Sequence, residues 1–288
     1  MKNRILNIIC CLIVLTSCSK SDNPIIPIGT PPVVITPPAP TVGDDVVTTF
    51  APNVLNNAWT FKSETVVTTP TNIAPTTATD VLKVDSDFIE NAIAYKIMKT
   101  TPTNPAGFYC NMVNNNKLRI DGSSVKMTGN ITINVGANPI TFAVTDFVIF
   151  KENAVSGTEV GRVSKPFSTT IPVGATTLPV EGTYIIKSVA DGNLPTLAVG
   201  GVSYNDVKKT IITINLTGNL ISGTFSLPAL LAQDVIVSTQ YYAKNIGVIK
   251  AETVVKYEFA STVASQLPAN ISPTGLQNVT EKLVSKNF

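Results

Sequence analysis

Beyond residue 46, apolar and polar residues alternate along most of the chain. In residues 251–259, Val255, Tyr257 and Phe259 share one parity while Lys256 and Glu258 take the other, which is the period of a strand with one buried face. The same pattern predicts strands at 59–67, 82–84, 93–98, 118–120, 125–127, 131–135, 140–150, 184–189, 207–216, 220–227 and 235–242. Asp121-Gly122, Gly129-Asn130, Asp191-Gly192 and Thr217-Gly218-Asn219 supply residues that tolerate positive φ and read as turns of a hairpin meander. Helical patterns are confined to 227–233, with Pro228 at a first helical position, and to a terminal stretch at 275–286. Residues 161–182, carrying Pro166, Pro172 and Pro179, read as a surface excursion. The expected fold is all-β and mainly antiparallel, a curled sheet forming an incomplete barrel or sandwich with few short helices.

One internal echo stands out. Residues 61–67 and 249–255 agree at Lys62/Lys250, Glu64/Glu252, Thr65/Thr253, Val66/Val254 and Val67/Val255. Coincidence among Val- and Thr-rich strands is one reading. The other is that the first and last long strands of the domain have equivalent faces and related places in the sheet.

The pattern changes before residue 46. Lys2 and Arg4 precede an apolar run from Ile5 to Leu15 broken only by Asn7, the shape of a secretory signal and too short to span a bilayer. It ends in Leu15-Thr16-Ser17-Cys18, which resembles the bacterial lipobox, where cleavage between Ser17 and Cys18 follows attachment of diacylglycerol to the cysteine. Two or three acyl chains hold a protein to a membrane without spanning it. Residues 19–45 contain seven prolines in 27 residues and no aromatic residue, so they cannot build a core and read as an extended stalk. The expected organisation is a signal peptide at 1–17, a lipidated Cys18 and Pro-rich stalk at 18–45, and one β domain at 46–288.

Composition narrows the chemistry. The 288 residues are 44% hydrophobic and 14% charged, enough apolar content for a core, and all aromatic residues lie from Phe50 onward. With 21 basic and 19 acidic side chains the chain lacks the surplus that nucleic-acid binding uses. There is no histidine, which removes the usual general base and the commonest zinc ligand. After the signal and Cys18, only Cys110 remains, in the apolar string Gly107-Phe108-Tyr109-Cys110, and it reads as a buried small hydrophobe. Asp85 and Asp87, with Glu90 nearby, form a weak calcium candidate that lacks the glycine of a recognised loop; a solvated turn is the plainer reading. Ser123-Ser124-Val125-Lys126 has the Ser-x-x-Lys spacing of some acyl enzymes, but on a strand the two side chains point to opposite faces. The sequence offers no cofactor motif, and catalysis is not expected, although a carboxylate pair for hydrolysis stays open.

Trp59-Thr60-Phe61 near the start of the domain, Tyr204-Asn205-Asp206-Val207, and the run from Tyr241 through Gly247 to Glu252 resemble a pattern in exported bacterial proteins of unknown function. These are similar in architecture to LolA/LolB-like lipoprotein carriers. That resemblance implies an unclosed antiparallel barrel around an apolar cavity, and it carries no ligand-contacting residues over. The expected function is that of a non-catalytic lipoprotein of the cell envelope, placed at the outer membrane, that binds an apolar or amphipathic ligand or an envelope partner. The alternative is an adhesive surface module recognising glycan or protein, with a carboxylate hydrolase behind both.

Overall fold

The computed structural model describes residues 48–71, 73–135, 138–174 and 176–288. The signal peptide, Cys18 and the stalk lie outside the described residues. Twelve strands make one antiparallel sheet: β1 (Ala58–Thr69), β2 (Thr76–Glu90), β3 (Ile93–Thr101), β4 (Lys117–Asp121), β5 (Ser124–Val135), β6 (Asn138–Lys151), β7 (Glu159–Val173), β8 (Thr176–Val199), β9 (Val202–Ser222), β10 (Phe225–Ala243), β11 (Gly247–Glu258) and β12 (Thr274–Lys286). The sheet order is β6-β5-β4-β3-β2-β1-β12-β11-β10-β9-β8-β7. Each strand therefore neighbours its successor except at one place, and the two chain-terminal strands pair with each other. The result is a nearly closed barrel whose gap falls between β6 and β7, in the middle of the chain.

Side chains stitch that gap. Across it, Tyr184 Oη donates to the Ala143 carbonyl at 2.9 Å and Ser188 Oγ donates to the Val148 carbonyl. The Phe142 ring lies 4.6 Å from that of Tyr184 and 6.2 Å from that of Phe167. Free carbonyls of an edge strand thus find donors without a ladder. The close approach needs Gly161, because a Cβ there would lie 2.5 Å from the Val148 carbonyl oxygen and 2.8 Å from Ser188 Oγ.

The repeated heptad has a structural meaning. Its two copies lie on β1 and β11, the two neighbours of β12, in matching register. Lys62 and Lys250 both oppose Lys282, Glu64 and Glu252 oppose Thr280, Thr65 and Thr253 oppose Val279, and Val67 and Val255 oppose Gln277. The copies therefore flank the last strand, and neither is the last strand itself.

Several local expectations give way to pairing. Residues 275–286 form β12 rather than a helix, with Val279, Glu281 and Leu283 facing in and ladders on both sides. Residues 227–233 lie in β10, bulged where Leu230 opposes Gly218. The predicted 220–227 strand is cut by the β9–β10 turn at Gly223, whose φ is +59°. Thr217-Gly218-Asn219 runs straight through β9, while Gly129 and Gly192 mark bends within β5 and β8 instead of hairpin turns. Asp121-Gly122 is the turn expected. The 161–182 segment is the β7–β8 hairpin. Its prolines sit where one ladder side is vacant: Pro166 and Pro172 on the terminal strand of the sheet, Pro179 just before β8 begins pairing with β9.

Among the described residues there are two short helices, α1 (Phe108–Val113) and α2 (Ser261–Ala264). Helix α1 touches β3, β5, β10, β11 and β12, so it lies inside the barrel, and five of its six residues are buried. At the upper end, where β1 begins and β12 finishes, residues 48–57 lie across the mouth. Thr48 N–H donates to the Gly122 carbonyl at 3.0 Å, Asn245 N–H to the Thr49 carbonyl at 2.7 Å, and Asn56 N–H to the Val84 carbonyl at 3.0 Å. Phe50 is fully buried there against Phe150, which stacks on Tyr242.

The seam yields a direct test. Gly161→Val should overpack it and lower stability by about 1–3 kcal/mol in denaturant unfolding. Because Gly161 has no positive φ, the loss is steric. A Gly161→Val chain as stable as the parent would show that the seam is loosely packed.

Candidate functional site

Two carboxylates stand on the inward face of the barrel among apolar neighbours. On β2, Asp80 shares its parity with Leu82 and Val84; on β12, Glu281 lies between Val279 and Leu283. Both are fully buried. On β1, Ser63 opposes Glu281 and donates to Asp80 Oδ2 at 2.6 Å.

These groups hold α1. A helix begins with backbone N–H groups that have no partner inside it, and α1 has no local side-chain cap at Gly107. Glu281 supplies the cap from the barrel wall: Oε2 accepts from Tyr109 N–H at 2.7 Å and Oε1 from Cys110 N–H at 3.0 Å. Asp80 accepts from Ala106 N–H at 3.0 Å and Gly107 N–H at 2.9 Å. Position 107 has to be glycine, since a Cβ would strike the Glu281 carboxylate.

Asparagines hold the other end. Asn111 Nδ2 donates to the Thr132 carbonyl at 3.1 Å, and Asn114 Oδ1 accepts from Thr100 N–H at 3.0 Å. Asn116 Nδ2 donates to the Met112 carbonyl at 2.6 Å and the Asn130 carbonyl at 2.7 Å, while its Oδ1 accepts from Asn130 N–H at 2.8 Å. That last amide fills the space beside Gly129 that a side chain would otherwise take.

Asp80, Cys110 and Glu281 have potential ligand atoms within 4.8 Å of one another. Their chemistry does not suit a cation. All four carboxylate oxygens accept hydrogen bonds from the α1 segment, and burial pushes the Cys110 thiol well above its ordinary range, aided by the nearby Glu281 and Asp80. Cys110 is buried and protonated, as a small core hydrophobe is. Burial also raises Glu281, with Asp80 adding to the effect and the two backbone N–H groups opposing it, and its carboxyl is pushed up to about 7.

The other candidates stand apart. Asp85 pairs with Lys99 at 2.7 Å, Asp87 with Lys96, and Glu90 with Lys117 at 2.7 Å, so each carboxylate of the calcium candidate has its own ammonium. Ser123 Oγ donates to Asn153 Oδ1 at 2.9 Å, and Lys126 bridges to Asp121 at 2.5 Å, leaving serine and lysine in separate contacts. Lys250 and Glu252 share the outer face, 2.7 Å apart, with Tyr241 donating to Glu252.

The interior departs from the cavity that the carrier resemblance implies. Beneath Phe50 a cavity of about 40 Å³ is lined by Trp59, Phe61, Met98, Tyr109 and Tyr242 among others. Below α1 a second, of about 180 Å³, is lined by Gly107, Phe108, Asn111, Ile133, Ile236 and Val279 among others. Sites for drug-sized ligands run from about 300 Å³ upward, a size that neither of these reaches and that a cleft of about 590 Å³ at the lower end does, beside the exposed Leu231 and Asp234 and lined also by Lys256, Glu258 and Phe259. The sequence reading missed both carboxylates and the helix. The available signal was a carboxylate at an inward parity: Asp80 with Leu82 and Val84, Glu281 with Val279 and Leu283.

No protein-family model matches the chain, and no curated protein does. Two solved structures are similar to it. One, from Bacteroides fragilis NCTC 9343, is named as an exported protein with YmcC-like fold; it is 9% identical with a TM-score of 0.37, covering 84% of this chain and 100% of that one. The other, named as a lipoprotein from Parabacteroides distasonis ATCC 8503, is 8% identical with a TM-score of 0.33, covering 83% and 99%. Likeness at this level carries no argument about function.

The position of Glu281 predicts a pH signature. It ionises near 4.5 in the unfolded chain and near 7 in the folded one, so between those values the folded state keeps a proton that the unfolded chain has lost. Its contribution is complete below 4.5 and is lost as pH rises to 7, a change of about 3 kcal/mol. Glu281→Gln should lack this component, so its stability relative to the parent should climb across that window. Parallel stability curves for the two chains would show that Glu281 does not titrate there. Gly107→Ala should displace the carboxylate and destabilise at every pH.

Proposed function

We propose that this chain is a lipid-anchored, non-catalytic protein of the bacterial cell envelope that works through its outer surface, by binding a protein or glycan partner. The observation that carries the reading is the occupied interior. The barrel is filled by α1, fixed at both ends by buried polar side chains, and neither interior cavity reaches the size of a typical ligand site. A carrier of acyl chains has to keep such space open; a surface-binding module gains rigidity by filling it. Support for the envelope comes from the basic, apolar leader and the Leu15-Thr16-Ser17-Cys18 motif, and support for the stalk from its seven prolines. A non-catalytic role agrees with the chemistry on hand: the two buried carboxylates are engaged with backbone amides, and the outer acidic groups described above are matched to lysines.

The reading has two separate measurements. Cells fed an alkyne-tagged palmitate should label the parent chain and not Cys18→Ala; equal labelling of both would remove the anchor. Organic extraction of the purified chain should release less than one lipid per protein. Recovery of one tightly held lipid per chain would make it a carrier after all.

A further inference from the structure

The two ends of the barrel expose apolar residues differently. At the lower end, among the described residues, Phe225, Leu227 and Leu231 are exposed on β10 and Ile73 on the β1–β2 connection. At the upper end the exposed residues come from five separate segments: Val54 and Leu55 from the mouth-crossing segment, Phe88, Ile89 and Ile93 from the β2–β3 hairpin, Val155 from the β6–β7 connection, Val202 from the β8–β9 hairpin, and the terminal Phe288. Val54, Ile89, Val155 and Val202 are 62%, 73%, 75% and 51% exposed, so the folded domain itself hides little of them.

Hydrogen bonds gather this end into one unit. Besides its bonds to Gly122, Val84 and Asn245, the 48–57 segment donates from Thr49 N–H to Glu152 Oε2 at 3.3 Å, and Asn287 Nδ2 donates to the Asn56 carbonyl at 3.0 Å. Trp59 Nε1 donates to the Ile246 carbonyl at 2.6 Å while its ring meets Phe288 edge-on at 5.2 Å. The β8–β9 tip comes over the same end, since a Cβ on Gly200 would lie 3.1 Å from the Leu283 carbonyl oxygen.

The chain before Thr48 joins the domain at this end, and that identifies the occupant. We infer that the upper end of the barrel is a membrane-resting face, whose loop-tip side chains Val54, Ile89, Val155 and Val202 enter the headgroup region of the bilayer that holds the anchor. The inference rests on the proposed lipid anchor for its setting. A tether makes docking intramolecular, so an affinity that the untethered domain shows at millimolar vesicle lipid is enough to hold the face down once the anchor is in place. Isolated apolar tips on several loops, without a shared groove, suit a fluid surface that closes around each one. Lysines beside the aromatic tips fit the boundary too: Lys117, also paired with Glu90, lies 4.9 Å from the Phe88 ring centre, and Lys286 lies 4.3 Å from that of Phe288. Their stems can lie along apolar surface while the ammonium groups meet anionic headgroups.

The test uses the chain from position 18 onward carrying Cys18→Ala, so that no acyl anchor is present. It is sedimented with vesicles of phosphatidylethanolamine and phosphatidylglycerol. The parent surface should pellet with vesicles, and the combined Val54→Ser, Ile89→Ser, Val155→Ser, Val202→Ser variant should bind at least about tenfold more weakly, given roughly fourfold in partitioning per buried methylene. A Phe225→Ser, Leu227→Ser, Leu231→Ser variant should bind like the parent. Circular dichroism melting keeps folding separate from binding, and all seven positions are exposed. No vesicle binding by the parent, no loss in the upper-end variant, or loss only in the lower-end variant would each overturn the inference. Because acylation is absent, none of these results depends on whether Cys18 carries lipid.

Discussion

A buried carboxylate is costly unless hydrogen bonds satisfy it, and an uncapped helix start is costly for the complementary reason. In this barrel each deficiency meets the other. Among the described residues, Glu281 and Asp80 have no cation in their hydrogen bonding; their partners are the amides of the α1 segment, Ser63 and the Cys110 thiol. Remove the helix and two carboxylates face an apolar interior. Remove the carboxylates and four amides lose their acceptors. The interior is therefore specified by mutual satisfaction as well as by volume, and the nearly closed sheet can be held at a width that its own side chains need not fill.

The same economy explains the heptad shared by β1 and β11. Both strands flank β12 in equal register, and their inward positions beside Glu281 differ: Ser63 on one side, Ala251 on the other. Of the two departures from identity, Phe61/Ile249 and Ser63/Ala251, the second falls at the site. Ser63 reaches Asp80, whereas Ala251 is fully buried and leaves room. Outward positions keep Lys62/Lys250 and Glu64/Glu252, where a repeated pattern costs nothing in packing.

Much of the sheet was legible because period two survives wherever one face is buried: 59–67, 140–150, 207–216 and 235–242 all fall within strands. The illegible parts have specific causes. Residues 275–286 carry Glu281 on the apolar face, which breaks the alternation at the position that matters most. Residues 161–182 carry prolines that are tolerated only because a neighbour is missing on one side, a fact of topology that local sequence does not hold. Helix α1 is six residues long, too short for a periodic signal, and its cap comes from a strand more than 170 positions away. Cys110 was legible as buried from its apolar neighbours, whereas its proximity to two carboxylates was not.

The closure of the upper end follows from the same topology. Pairing the first strand with the last brings the start of β1 and the end of β12 to one mouth, and the segment leading into β1 then has nowhere to run except across it. Residues 48–57 use that passage to bond the β4–β5 turn, the β6–β7 connection, the β10–β11 turn, β2 and the C-terminal Asn287. Phe50 seals the interior beneath. A pull on the preceding chain would therefore be shared among five elements before it reached any one ladder. That arrangement spreads load because the entry of the preceding chain is built into the barrel mouth and not hung from a single strand.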